Sequence, residues 1–164
     1  MKLNVLSRKV GKALKNKGET LVTAESCTGG WVAQAVTSIA GSSAWFERGY
    51  VTYSNAAKRE ELGVHKATLA RHGAVSEPTA REMARGALQR SRKALGHARG
   101  SIAVSVTGIA GPGGGLPGKP VGTVCFAWAR GRKIRSETRR YRGGRRRVRE
   151  QSVAHALRGV LKWL

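Results

Sequence analysis

Two short runs decide what this chain can fold into. Ile102-Ala103-Val104-Ser105-Val106 and residues 121–129 are apolar on both alternations, not only on every second residue. A strand of that kind is hidden on both faces, so helices must lie above and below its sheet. Helical patterns supply that cover. Leu3, Leu6, Val10 and Leu14 form an apolar stripe over residues 2–15, and Gly18 ends that helix. Ser76-Glu77-Pro78-Thr79 opens another with a capping serine and a proline in the first turn. Its stripe is Ala80, Met83, Ala84, Ala87, Leu88 and Ser91, and Gly96 closes it. A last helix buries Val153, Ala156, Leu157, Val160, Leu161 and Leu164. Leu21-Val22-Thr23-Ala24 and Tyr50-Val51-Thr52-Tyr53 read as further strands, and residues 134–138 as a more exposed one. Helices alternating with buried strands predict a single α/β domain over residues 1–164, with three α/β/α layers around a mainly buried mixed sheet.

Ligands of such sheets bind at the carboxyl ends of the strands. Three connections there carry chemistry. The first is Thr23-Ala24-Glu25-Ser26-Cys27-Thr28-Gly29-Gly30, a turn from the first strand into a helix that runs to about Ile39. A serine at such a turn stands above the sheet edge, and the first amides of the helix are unpaired and point at whatever binds. Ser26 is the candidate nucleophile, with amides near Thr28 and Gly29 as the oxyanion site. Cys27 is a rival nucleophile whose alternative role is that of a small buried residue.

A serine needs a base to take its proton. The chain has no Asp, its nine acids all being Glu, which excludes a Ser-His-Asp triad. Lys58 is the candidate base. Ser54-Asn55 caps a short helix through Leu62, and Lys58 sits on its first turn beside Tyr53 and Asn55. The helix dipole and partial burial both lower a lysine pKa from its ordinary value of about 10.4. The third connection is the glycine-rich loop Thr107-Gly108-Ile109-Ala110-Gly111-Pro112-Gly113-Gly114-Gly115, whose bare amides can approach an anion. Gly113, Gly118 and Lys119 have the spacing of a P-loop. Pro120, however, stands where Ser or Thr must hold magnesium, and a strand follows instead of a helix.

The formal charge of +22 implies affinity for nucleic acid, phosphorylated metabolites or an acidic membrane surface. The stretch 130–149, opened by Arg130 and closed by Arg149, holds ten Arg and one Lys against one acid, Glu137. Such a run is either a solvated face or a nonspecific polyanion-binding surface. Two cysteines make no disulfide framework, and residues 1–4 begin no secretory signal, so a cytoplasmic protein is expected. No apolar run reaches the roughly 20 residues of a membrane span. His65, His72, His97 and His155 are scattered, without the spacing of a metal site, and no cofactor is expected.

Taken together, the motifs resemble those of the CinA C-terminal domain family. They are the Ser26 turn, Arg48-Gly49-Tyr50-Val51-Thr52-Tyr53-Ser54-Asn55-Ala56-Ala57-Lys58, Gly73-Ala74-Val75-Ser76, the Thr107 loop, and Lys119-Pro120-Val121-Gly122-Thr123-Val124. They follow the family order over nearly the whole chain, which looks like the stand-alone form without the molybdopterin-binding-like domain of longer members. The resemblance implies a nicotinamide mononucleotide amidohydrolase of pyridine nucleotide salvage, metal-independent and of serine–lysine type. It assigns catalysis to Ser26, Lys58 and Tyr53. It implies substrate contacts at Thr28, Gly29, Asn55, Thr107, Gly108, Gly111 and Arg145, and a homodimer. One position departs from the pattern: the family commonly reads Gly-Asp-Arg before its last helix, and here Gly144 replaces the acid in Gly143-Gly144-Arg145. The alternative reading is a non-catalytic CinA-like module that binds a nucleotide or nucleic acid.

Overall fold

The computed structural model describes residues 2–95 and 100–164. Gly96, the expected end of the longest internal helix, lies outside the described residues. In chain order the elements are α1 (Leu3–Lys17), β1 (Thr20–Glu25), α2 (Trp31–Thr37), β2 (Phe46–Val51), α3 (Asn55–Leu62), α4 (Lys66–His72), α5 (Glu77–Leu95), β3 (Ser101–Gly108), β4 (Thr123–Arg130), β5 (Lys133–Arg140) and α6 (Arg145–Trp163). A single 3₁₀ turn, Ser42–Ala44, precedes β2. The strands form one sheet in the order β2-β1-β3-β4-β5. β1 runs parallel to β2 and β3, whereas β4 and β5 are antiparallel to their neighbours.

Side-chain size separates the two faces. Ile102, Val104 and Val106 of β3, with Val124, Phe126 and Trp128 of β4, pack under α1, α2 and α6. The residues between them, Ala103, Cys125, Ala127 and Ala129, face α5. Small residues let α5 sit close, and the buried Ser105 hydroxyl donates to the Ala80 carbonyl at 2.6 Å. On the other face Trp128 is seated against Gly159, where a Cβ would come within 2.1 Å of the indole. Its Nε1 donates to the Ala156 carbonyl at 3.0 Å, so the ring is buried with its polar handle satisfied.

β2 differs from expectation: it spans Phe46–Val51, so Thr52 and Tyr53 lie beyond its end. It is an edge strand of mixed exposure, and its Glu47 and Arg48 hide the pattern of a buried run. The shift matters for the site. The chain leaves β1 toward β2 on one side and returns to β3 on the other, which opens a crevice above the carboxyl end of β1. Ser26 follows β1 there, Thr52 and Tyr53 follow β2, and the glycine-rich loop follows β3. No helix of the described residues is long and apolar enough to cross a membrane.

Candidate active site

Ser26 is held where its turn meets both neighbouring strands. Its amide donates to the Val106 carbonyl at 2.9 Å, and the Thr52 amide donates to the Glu25 carbonyl at 2.9 Å. Lys58 reaches this point from α3, whose first turn is fixed by Ser54 accepting from the Ala57 amide at 3.0 Å. Lys58 Nζ donates to Ser26 Oγ at 3.0 Å, to the Thr52 carbonyl at 3.0 Å and to the Tyr53 carbonyl at 3.1 Å. The lysine is 1% exposed and the serine 8%.

These three partners set what the amine can do. Burial pushes the Lys58 ammonium below the ordinary lysine range by desolvating its charge. A neutral amine has two N–H donors and one lone pair. Carbonyl oxygens only accept, so Thr52 and Tyr53 take the two donors and the lone pair is left facing Ser26. The arrangement can withdraw a proton from the serine hydroxyl and return it. Cys27 is disfavoured as the rival nucleophile: burial and the neighbouring Glu25 carboxylate push its thiol up to about 12, against the reactive thiolate.

The amides of α2 are not open, contrary to the expectation from the sequence. The buried Glu25 carboxylate turns back from the end of β1 and accepts from Val32 at 2.7 Å and Ala33 at 3.0 Å. It occupies the positive end of the helix, where a carboxylate is favoured, although burial still raises its pKa. The Gly29 amide donates to the Ser26 carbonyl at 3.0 Å. Within this turn, the amides of Cys27, Thr28 and Gly30 are left without a backbone acceptor.

The arginine-rich start of α6 closes over the same turn. Arg149 donates from Nε to the Cys27 carbonyl at 3.0 Å and from Nη2 to the Thr28 carbonyl at 2.9 Å, while its guanidinium lies 5.3 Å from the centre of the Trp31 ring. One turn earlier, Arg145 donates to the Gly111 carbonyl at 2.7 Å and to the Tyr53 hydroxyl at 3.0 Å. The site thus gathers segments from β1, β2, β3 and α6. Sequence reasoning missed Glu25, Trp31 and Arg149. Arg149 follows Arg145 at the i, i+4 spacing that puts two residues on one helix face, which was the available signal.

The other expected residues fall around this centre in different ways. Tyr53 is 60% exposed; its carbonyl, not its hydroxyl, meets Lys58. Asn55 is exposed at the start of α3. Thr28 is fully buried beneath the turn, and Gly29 is exposed on it with a left-handed φ of 60°. The Thr107 hydroxyl donates to the Ala74 carbonyl at 2.8 Å, which ties residues 73–76 over the end of β3. Gly108 pairs with Val124 in the sheet, and a Cβ there would come within 2.7 Å of that side chain. Gly111 has a φ of 84°, and a Cβ would come within 2.6 Å of Val121. No group of three or more His, Cys, Asp or Glu side chains suited to a metal forms among the described residues.

Residues 3–164 match the CinA C-terminal domain. The chain is 59% identical over 156 residues to the nicotinamide-nucleotide amidohydrolase PncC of Escherichia coli strain K12, covering 93% of this chain and 88% of that protein. It is 48% identical over 160 residues to a Pseudomonas putida protein of the same name, covering 98% and 96%. Among solved structures, the competence/damage inducible protein CihA from Agrobacterium tumefaciens has a TM-score of 0.90 at 46% identity, covering 98% of this chain and 94% of that one.

Proposed function

The chain belongs to the CinA C-terminal domain family, and from that premise we propose that it hydrolyses the carboxamide of nicotinamide mononucleotide to nicotinate mononucleotide and ammonia. The relatives named nicotinamide-nucleotide amidohydrolase support the substrate. One observation carries the chemistry: the buried Lys58 amine at 3.0 Å from the Ser26 hydroxyl.

Neutral Lys58 accepts the Ser26 proton as Oγ attacks the carboxamide carbon. The Cys27 and Thr28 amides serve the oxygen that gains charge, and Arg149, through the Cys27 carbonyl, fixes the peptide group that carries the Thr28 amide. The resulting Lys58 ammonium gives a proton to the leaving nitrogen, the C–N bond breaks, and ammonia departs. Water then loses a proton to Lys58 and attacks the acyl carbon; Ser26 leaves as its proton returns. Arg145, at the mouth between Tyr53 and Gly111, suits the nucleotide phosphate, with the backbone of the loop after Gly108 beside it. Thr107 and Gly108 hold that loop in place.

Ammonia release from nicotinamide mononucleotide by the purified protein tests this reading, with Ser26→Ala alongside. The expected result is turnover by the wild type, unchanged by EDTA. The variant should lose on the order of 10³-fold or more in rate while still binding substrate. Full activity in Ser26→Ala would overturn the nucleophile, and no turnover by the wild type would overturn the reaction.

A further inference from the structure

The fold places a second basic surface away from the Ser26 turn. β5 and α6 lie side by side at the end of the sheet, and a small hollow between them is lined by Arg135 from β5 and by Arg158 and Lys162 from α6. All three cations are exposed, and none makes an ion pair among the described residues. Glu137, the acid at this hollow, is already engaged by His155 and by Arg139, which stands at 3.1 Å. The cluster therefore keeps its like-charge repulsion without an internal partner, and an external polyanion relieves it.

We propose that this β5–α6 face binds the phosphate backbone of double-stranded nucleic acid. Geometry favours a linear polyanion over a single small anion. Arg135 and Arg139 are about 13 Å apart along the strand, and Arg158 and Lys162 are about 6 Å apart along the helix. The cations are thus spread over two separate elements that meet at one hollow. A duplex carries the denser charge, about one phosphate per 1.7 Å of axis. Single strands are held by stacking on exposed aromatic rings, whereas Tyr141 packs edge-on against Phe126, and Trp163, which lines the hollow, is half-buried against the core. A lipid surface would be gripped by exposed apolar side chains as well as charge. The exposed large apolar residues Val5, Val51, Tyr53 and Leu116 all lie outside β5 and α6. Contacts to phosphate alone carry no sequence preference.

Fluorescence anisotropy with a labelled DNA duplex of about 30 base pairs, titrated across salt, tests the proposal. With about five phosphate contacts, affinity should fall on the order of 10² to 10³-fold between about 50 and about 200 mM salt. In Arg135→Ser/Arg158→Ser/Lys162→Ser the slope of log affinity against log salt should become shallower by about 2.7, or about 0.9 per lost contact. Ammonia release, followed on the same samples, should not change, because these side chains do not touch the Ser26 turn. Absence of duplex binding at about 50 mM salt overturns the proposal. So does a wild-type slope in the triple variant, which would make the binding a property of net charge and not of this face. Binding to phosphatidylserine vesicles without binding to the duplex likewise overturns it.

Discussion

Arg145 of α6 donates a 3.0 Å hydrogen bond to the hydroxyl of Tyr53, 92 positions earlier in the chain. This bond ties the tyrosine ring to the mouth of the site and away from the buried amine, which meets only the Tyr53 carbonyl. Removing the hydroxyl leaves that carbonyl in place. Tyr53→Phe should therefore keep kcat within about fivefold of wild type and chiefly raise KM, through a less well-fixed Arg145. A loss of kcat on the order of 10²-fold or more would instead make the hydroxyl a proton relay. Steady-state ammonia release decides between the two.

The buried amine gives the rate a pH signature. Desolvation lowers the Lys58 pKa, and the neutral form is the base, so kcat/KM should rise with pH and level off above that lowered value. The midpoint should lie below the ordinary lysine value of about 10.4. Lys58→Arg stays charged throughout and should lose on the order of 10³-fold in rate, together with the rising limb. A flat profile in the wild type would remove Lys58 from the proton transfer.

Gly144 is the N-cap of α6, with extended backbone at φ −70° and ψ 171° and no side chain to cap the helix. Nothing lies within 4 Å of a Cβ placed there, and three arginines follow in the first turn. Gly144→Asp should add a capping oxygen and a negative charge at the positive end of the helix. The expected gain is about 0.5–1.5 kcal/mol, seen as a rise in Tm of roughly 1–5 °C. An unchanged or lower Tm would show that the acid common in the family does other work than capping.

The sequence showed the layers and the serine–lysine pair for the same reason: each depends on local pattern. Continuous apolar runs mark β3 and β4, and Ser54 marks the start of the helix that carries Lys58. What it concealed depends on approach through space. Glu25 reads as one more residue of a short strand, yet its carboxylate caps a helix seven positions onward. The arginine run reads as a solvated surface. Its members diverge in the fold, Arg145 and Arg149 onto the site and Arg135 onto the far face with Arg158. The start of β2 was displaced because an edge strand needs no continuous apolar signal.

The order of synthesis adds a constraint of its own. Ser26 and Lys58 emerge early, and every strand of the sheet is made before α6 begins at Arg145. Until that helix leaves the ribosome, the carbonyls of Cys27 and Thr28 lack the guanidinium that holds them, and the mouth lacks its cation. A nascent chain can thus carry the paired serine and lysine while the arginine rim above them is still missing. The arginine rim of the site arrives only with α6, so the helix made after every strand is the one that completes it.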